Sequence, residues 1–340
     1  MNEASHLRIS NNKNDNTTKS PEIGMHHQET ITITFGDQAE NFRGMQKIGA
    51  QAAAGISTVD LLAAKERFEA KGATCELIRL DKLATLFDLS SDDHSSVANV
   101  LNSTSTAHLP DASILIVRRG MDILLRDINK TSDDALMEQQ ALAWDAKSKM
   151  YGRVVNRKIR VNLCFADEAQ EADYAQGRGT VVPFHEIPCL QHIRNALPEY
   201  LGPKTRQLVA EGNRYMDLKT CGIRYHGDSE RKVVVACRMG ASFPLHYQWY
   251  HDTKPFGRNI KFVMNHGDCY IMSDKAVGYD WLKPTLLTLR HAAGARACTF
   301  IPKNKSVDDT MTTTTTARNK QQQKQQQKEK NNNKKRRERD

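Results

Sequence analysis

The amino-terminal half of the chain carries two different hydrophobic periodicities. Residues 30–35 (TITITF) alternate threonine with an apolar residue, and this period of two predicts a half-buried strand. Residues 57–72 have helical spacing, with Ser57 as the N-cap and Gly72 as the residue that ends the helix. Two more strand patterns are CELIRL at 75–80 and SILIVRRG at 113–120. These elements predict a small α/β domain of unassigned role over residues 29–127.

The carboxy-terminal half is richer in strands. Helical patterns cover residues 133–149, 188–200 and 203–216. Short strand patterns, rich in β-branched and aromatic residues, cover 152–167, 232–240, 243–250, 260–272 and 285–294. A run of strands with few helices favours a sheet sandwich or jelly roll with helices packed outside, so the predicted fold class is α+β.

Composition changes sharply at both ends of the chain. Formal net charge is +9, but residues 318–340 hold ten lysines or arginines against three acids, so most of the basicity lies in this segment. Both the segment 303–340 and the leader 1–28 lack apolar periodicity, and we expect them to be disordered. The basic cluster from Lys334 to Arg339 indicates either nuclear import or nonspecific phosphate contact, or else a solvated end.

Cysteine usage and hydropathy indicate an intracellular protein, cytoplasmic unless the basic cluster directs it to the nucleus. The seven cysteines are odd in number and contain no Cys-x-x-Cys pair, which argues against a disulfide framework or a zinc knuckle. No run of about 18 apolar residues is present to cross a bilayer. We therefore expect a soluble protein with no membrane partner.

The triplet His-Gly-Asp occurs twice, in GIRYHGDSERK at residues 222–232 and in NHGDCYIM at 265–272. Residues i and i+2 of a strand point to the same face, so His226 and Asp228 can present an imidazole and a carboxylate together. With one more ligand from a distant strand, this pair makes the facial triad of non-haem iron oxygenases.

The first triplet stands in a longer motif. NRYMDLKTCGIRYHGDSER, residues 213–231, resembles the AlkB family of Fe(II)- and 2-oxoglutarate-dependent dioxygenases. In that family an Asn-x-Tyr stretch leads into Gly-Ile, an aromatic residue, His-x-Asp and a nearby Glu. The second triplet resembles a family segment whose His is not a metal ligand, so we expect a structural turn there. LLTLRHAAG, residues 286–294, resembles the family's closing strand, and 152–167 loosely resembles its nucleotide-recognition lid.

The resemblance implies a double-stranded β-helix (jelly-roll) dioxygenase domain over residues 128–302. It implies Fe(II) on His226, Asp228 and a third ligand, for which Asp280 is preferred and His291 is the alternative. Asp280 is preferred because it lies at the end of the strand after the second triplet, where the family has its third ligand, a histidine. His291 is only the alternative, because its neighbour Arg290 is expected to face the site from the same strand, so that His291 would face away.

For 2-oxoglutarate the resemblance implies contacts from Asn213, Tyr215 and Arg290. The family's distal arginine is replaced by Pro284, and Lys283 is the candidate to substitute for it.

The activity implied by the resemblance is oxidative demethylation of an alkylated base in DNA or RNA, a DNA-repair oxidoreductase reaction. Fe(II), 2-oxoglutarate and O2 would take part, with succinate, carbon dioxide and formaldehyde as products. A nucleic acid is the expected partner, and a monomer is the expected state. Two alternatives are the same chemistry on a protein or nucleotide, and a catalytically degenerate module that binds nucleic acid or a partner protein.

Overall fold

A computed structural model describes residues 28–85, 109–158 and 160–301 of the chain. The expected disordered leader at 1–28 and the expected basic tail at 303–340 lie outside these residues, except for residue 28. Within the described ranges the protein has mixed α+β structure dominated by antiparallel sheets.

Sixteen strands occur in the described residues. They are β1 (Thr30–Gly36), β2 (Gln38–Glu40), β3 (Lys47–Gly49), β4 (Thr74–Arg79), β5 (Ser113–Arg118), β6 (Lys147–Met150), β7 (Arg153–Asn156), β8 (Arg160–Ala166), β9 (Val181–Pro183), β10 (Val209–Tyr215), β11 (Gly222–His226), β12 (Val234–Gly240), β13 (Phe243–His251), β14 (Lys254–Met264), β15 (Cys269–Met272) and β16 (Thr288–Gly294). A large sheet has the order β4-β5-β15-β12-β1-β10-β8-β9, and a small sheet has the order β11-β16-β13-β14. The pairs β2-β3 and β6-β7 are separate ribbons.

The helices of the described residues are α1 (Thr58–Ala70), α2 (Leu80–Thr85), α3 (Gly120–Leu125), α4 (Ser132–Gln140), α5 (Pro188–Leu201), α6 (Asp274–Val277) and α7 (Arg296–Thr299). The predicted cap of α1 is confirmed, since Ser57 and Asp60 form a capping box. Apolar residues of α1, α3, α4 and α5 pack on one face of the large sheet. The other face packs against the small sheet around Tyr247 and Trp249. The protein therefore has a helical layer, a large sheet and a small sheet.

Strand β1 lies in the middle of the large sheet, with antiparallel neighbours β10 and β12. Its alternation was expected to mark one buried face, but both faces are buried. Ile31, Ile33 and Phe35 enter the core under the helices, whereas Thr32 and Thr34 line a cavity between the two sheets. Thr32 is thus a buried polar residue and Thr34 a half-buried one, and the period of two does not distinguish such a face from a solvated one.

The expected division into domains at 29–127 and 128–302 is not found. Strands β1, β4 and β5 belong to the same sheet as β8, β10, β12 and β15. Hydrogen bonds of the sheet cross the expected boundary at β1-β10, β1-β12 and β5-β15. The amino-terminal strands therefore belong to the same sheet as the later ones, since β1 lies between β10 and β12 and β5 pairs with β15.

Two predicted helices are wrong in part. Residues 203–216 contain a three-residue 3-10 helix at Pro203–Thr205 followed by β10, because residues 209–215 pair with β1 and β8 in the large sheet. Gly212 leaves room there for the rings of Trp144 and Phe165, since a Cβ atom would lie 2.8 Å from Trp144. The pattern at 133–149 is helical only as far as Gln140 and continues as β6. Among the described residues, no helix has the length and apolar character needed to span a bilayer.

Candidate metal centre

Three side chains from two neighbouring strands meet at one point. His226 is the last residue of β11, Asp228 follows it by two residues, and His291 is on β16 directly opposite His226 in the register. One ligand atom from each of these residues lies within 4.8 Å of the others. The antiparallel pairing of β11 with β16 therefore brings together residues that are 65 positions apart in the chain.

A hydrogen bond orients the imidazole of His226 toward the carboxylate, whereas Nδ1 of His291 has no hydrogen-bond partner among the described residues. His226 Nδ1 donates to the carbonyl oxygen of Arg224 at 2.7 Å, which leaves His226 Nε2 facing Asp228 Oδ1 at 3.4 Å. His291 Nε2 lies 3.6 Å from the same oxygen. A backbone carbonyl bonded to Nδ1 is the arrangement that fixes the tautomer of metal-binding histidines and leaves Nε2 free to bind the metal.

Close backbone contacts hold the loop that carries Asp228. The Asp228 N–H donates to the carbonyl of Val277 in α6 at 3.1 Å. A Cβ atom on Gly227 would lie 2.0 Å from the carbonyl oxygen of Gly278, so only glycine fits between His226 and Asp228. The middle residue of the triplet is thus required by packing against α6.

The electrostatics of the group favour the ionised carboxylate of Asp228 and the neutral imidazole of His291, which are the forms that bind a metal. Burial would raise the pKa of Asp228, but the Arg231 guanidinium, followed by His291, holds it well below its usual range. Burial, and then the proximity of His226, lower the pKa of His291 and favour its neutral form. Burial lowers the pKa of His226, but the hydrogen bond and the charge of Asp228, together with the hydrogen bond to Arg224, raise it overall, so this imidazole must release its proton when a metal binds.

The structure brings His291, and not Asp280, to the pair. Asp280 Oδ2 accepts a hydrogen bond from Lys275 Nζ at 2.6 Å, and Asp280 is not in the ligand group of the described residues. Asp280 was preferred from its place after the second triplet, and His291 was set aside because Arg290 was expected to face the site; that orientation of Arg290 is wrong. Adjacent residues of β16 point to opposite faces, and here His291 points in while Arg290 points out.

Arg290 and Lys283 are elsewhere in the structure. The Arg290 guanidinium stacks over Tyr250 at 4.1 Å and donates to the carbonyl of Trp281 at 3.4 Å. Lys283 is exposed in the segment before β16. Neither residue lines the cavities that touch the ligand group, so the expected contacts of Arg290 and Lys283 with a co-substrate have no geometric support.

An interior cavity of about 70 Å³ lies between the two sheets and reaches His226, Asp228 and His291. Asn213 and Tyr215 line it, so the structure brings these two predicted residues to the same site. Asn213 is held by a hydrogen bond of 2.6 Å from Asn162, and Tyr215 is fully buried.

Arg238 of β12 also lines the interior cavity, and the sequence analysis missed it. The residue is 1% exposed, and its Nε and Nη1 atoms have no hydrogen-bond partner among the described residues. Its cross-strand neighbour Thr32 has a buried hydroxyl that is likewise unpartnered. The sequence did contain a signal, because Arg238 is the single charged residue of the apolar run VVVACRMG. A charged side chain buried in such a strand needs a polar or charged partner.

An outer cavity of about 360 Å³ touches the ligand group from the other side. It shares His226 and Asp228 with the interior cavity and is lined further out by arginines and aromatic residues. The lining residues that face outward are Arg43, Arg160, Arg224, Phe42, Tyr225 and Trp281. The candidate ligands thus lie where an interior and an outward-facing cavity meet.

Comparison with known proteins gives one informative match. No protein-family model matches the chain. Over 268 residues the chain is 41% identical to a protein of Acanthamoeba polyphaga mimivirus named "Uncharacterized protein R156", and the match covers 78% of this chain and 96% of the viral protein. This chain belongs to the family of that viral protein.

The second triplet of this family member forms a turn between β14 and β15. Gly267 has a φ of +80°, and the Asp268 carboxylate accepts hydrogen bonds from the N–H of Asn265 at 2.9 Å and from Arg118 at 2.7 Å. His266 Nδ1 accepts from the N–H of Gly240 at 2.9 Å. The structural turn expected here is therefore present, and these side chains are used to hold strands together.

Proposed function

We propose that the protein is an iron(II)- and 2-oxoglutarate-dependent oxygenase. The observation that carries this proposal is the convergence of His226, Asp228 and His291 where the two cavities meet. Two imidazoles and one carboxylate are the ligands with which non-haem oxygenases hold Fe(II) and leave positions open. The donor set and the hydrogen bond that fixes His226 both fit this ion. When bound, the iron supplies the activation of dioxygen.

The proposal includes a jelly-roll core in which the order of strands is permuted. From β10 to β16 the chain alternates between the two sheets, except that β13 and β14 are both in the small sheet. The large sheet receives β10, β12 and β15, and the small sheet receives β11, β13, β14 and β16. An eight-strand jelly roll made of two four-stranded sheets needs one more strand in the large sheet. Strand β1, between β10 and β12, occupies that position, so the first strand of the chain takes the place of the last.

The interior cavity is the proposed site for 2-oxoglutarate. Arg238 would pair with the carboxylate far from the iron, since its guanidinium is buried and lacks an acceptor. Thr32 lies opposite both Arg238 and Asn213 in the sheet, so all three residues can face one ligand. In this proposal Arg238 binds, Asn213 and Tyr215 orient, and the two sheets exclude water.

The outer cavity is the proposed site for the substrate that is oxidised, an alkylated base in DNA or RNA. Of its acids, Asp228 belongs to the ligand group, and Glu211 and Glu230 contact Arg231. The remaining arginines outnumber Glu40, the remaining acid, which favours a negatively charged ligand such as a nucleotide. Tyr225 and Trp281 offer rings on which a base can stack.

Succinate release from 2-oxoglutarate, measured with Fe(II) and O2, tests the chemistry. We expect release by the wild type, loss in His226→Ala, and retention in His266→Ala, which alters the matching histidine of the second triplet. Equal release by wild type and His226→Ala would refute the oxygenase. Formaldehyde release from a single-stranded oligonucleotide with an N-methylated base tests the substrate separately, because its absence alongside succinate release would refute only the nucleic-acid assignment.

A further inference from the structure

Arg231 lies in the wall shared by the interior and outer cavities, three residues after Asp228. It is 3% exposed, and its guanidinium is surrounded by carboxylates. Nη2 contacts Glu211 at 2.5 Å, and both Nη2 and Nε contact Glu230, at 2.8 and 3.0 Å. A buried arginine with two such anchors has little freedom to move, because its planar group is held at two edges.

The two oxygens of Asp228 face different groups. Oδ1 faces the imidazoles of His226 and His291, at 3.4 and 3.6 Å. Oδ2 faces Nε of Arg231 at 3.8 Å. One oxygen is thus directed to the ligand group and the other to the guanidinium.

We propose that Arg231 is a positioning residue that holds Asp228 Oδ2, so that the carboxylate offers Oδ1 alone to a divalent cation. This inference rests on the proposed metal site. Glu211 on β10 and Glu230 fix the guanidinium by hydrogen bonds, and the guanidinium attracts Asp228 Oδ2 as an ion pair at 3.8 Å, beyond hydrogen-bond distance. The arrangement sets both the direction of the Asp228 ligand atom and the number of its oxygens that bind.

The chemistry of the guanidinium explains why lysine would not replace it. A guanidinium presents several N–H groups in one plane and can contact three carboxylates at once, whereas an ammonium is a compact point charge. Lysine at position 231 would keep the charge and lose part of the geometry. Methionine would lose both and leave three acids near the metal without a counter-charge.

The test measures binding of Co(II) alone to the full-length chain, without 2-oxoglutarate or turnover. Residues that orient metal ligands typically change affinity by about 10- to 100-fold when mutated. We expect a loss in this range for Arg231→Met and a smaller loss for Arg231→Lys. The visible absorption of bound Co(II) should change in both variants, since it reports coordination number and geometry.

Arg194 provides the matched control. It is 8% exposed and contacts both oxygens of Asp167, at 2.5 and 3.0 Å, away from the cavities that touch the ligand group. Arg194→Met should lower the thermal midpoint while leaving Co(II) affinity and absorption as in the wild type. A purely structural Arg231 would behave in the same way as Arg194.

Further variants keep the test decisive. Where Arg231→Met fails to fold, Glu211→Gln removes one anchor of the guanidinium, and an intermediate loss of Co(II) affinity is expected. If Arg231→Lys and Glu211→Gln both showed wild-type Co(II) affinity and absorption, the inference about Arg231 would be overturned and the proposed function would stand. Absence of Co(II) binding by the wild-type chain would instead overturn the proposed function, and this inference with it.

Discussion

Replacing Arg238 with methionine should weaken binding of 2-oxoglutarate and stabilise the ligand-free protein. Each hydrogen bond between a charged donor and a carboxylate contributes about 1.5–3 kcal/mol. Two nitrogens of Arg238 lack acceptors, so losing both bonds should cost about 3 kcal/mol or more. This corresponds to an affinity lower by about 100-fold or more. Without ligand, the same unpartnered donors are a burden of about 1–3 kcal/mol.

Two measurements separate these effects. Calorimetric titration of the Fe(II) protein without oxygen gives the affinities of 2-oxoglutarate and of 2-oxovalerate, which has the same chain length but no distal carboxylate. The wild type should prefer 2-oxoglutarate, and Arg238→Met should bind the two acids equally. Urea denaturation of the ligand-free protein should show a higher free energy of unfolding for Arg238→Met. Arg290→Met is the control, because Arg290 also has a buried unpartnered Nε but lies outside the interior cavity.

An unchanged preference between the two acids in Arg238→Met would refute the role of Arg238 in binding the distal carboxylate of 2-oxoglutarate. That role would also be refuted if Arg290→Met, rather than Arg238→Met, removed the preference, since the anchor would then be the arginine that resemblance alone indicated. A decrease in ligand-free stability of Arg238→Met would contradict the expected cost of burying Nε and Nη1 without a partner among the described residues.

Three further predictions concern the metal centre and the fold. His291→Ala should abolish Co(II) binding in a titration, whereas Asp280→Asn should retain it; the opposite result would restore Asp280 as the third ligand. Gly227→Ala should weaken Co(II) binding and lower the thermal midpoint, because the added Cβ would lie 2.0 Å from a backbone carbonyl; wild-type values for both would contradict the packing argument. Burial raises the pKa of Asp60, but the hydrogen bonds from Lys204 and from Ser57, together with the charge of Lys204, outweigh it and leave the pKa below its ordinary value of 3.8. The stability that Asp60 contributes should therefore be present above this value and be lost as the pH falls below it, so the thermal midpoints of wild type and Asp60→Asn should differ near neutral pH and converge in acid; a constant difference would be evidence against this linkage.

The pair His226 and Asp228 was accessible from the chain because two residues of one triplet stay close in any fold. The third member was not, because His291 reaches them through the pairing of β11 with β16. Choosing between Asp280 and His291 required the orientation of β16, and the period of two leaves open which of two adjacent residues faces inward. Asp280 was preferred from its place after the second triplet, and His291 was set aside because the inward face was assigned to Arg290.

The large sheet shows the same limit on a larger scale. The strand patterns at 30–35, 75–80 and 113–120 were identified correctly, yet they were assigned to a separate domain. Hydrophobic periodicity reports that a strand has a buried face, but it does not name the strand that will pair with it. The insertion of β1 between β10 and β12 is a long-range pairing, and such pairings depend on the whole sheet.

Local patterns in the chain were enough to predict the capped helix α1, most strands, the pairing of His226 with Asp228 and the turn at the second triplet. Each of these features depends on residues that are close together in the sequence. The folded arrangement was needed to place His291 beside the triplet, to turn Arg290 outward and to bury Arg238 beside Thr32. These outcomes follow from pairing between strands that are distant in the chain. The spacing of residues along the sequence does not predict which of these strands will pair.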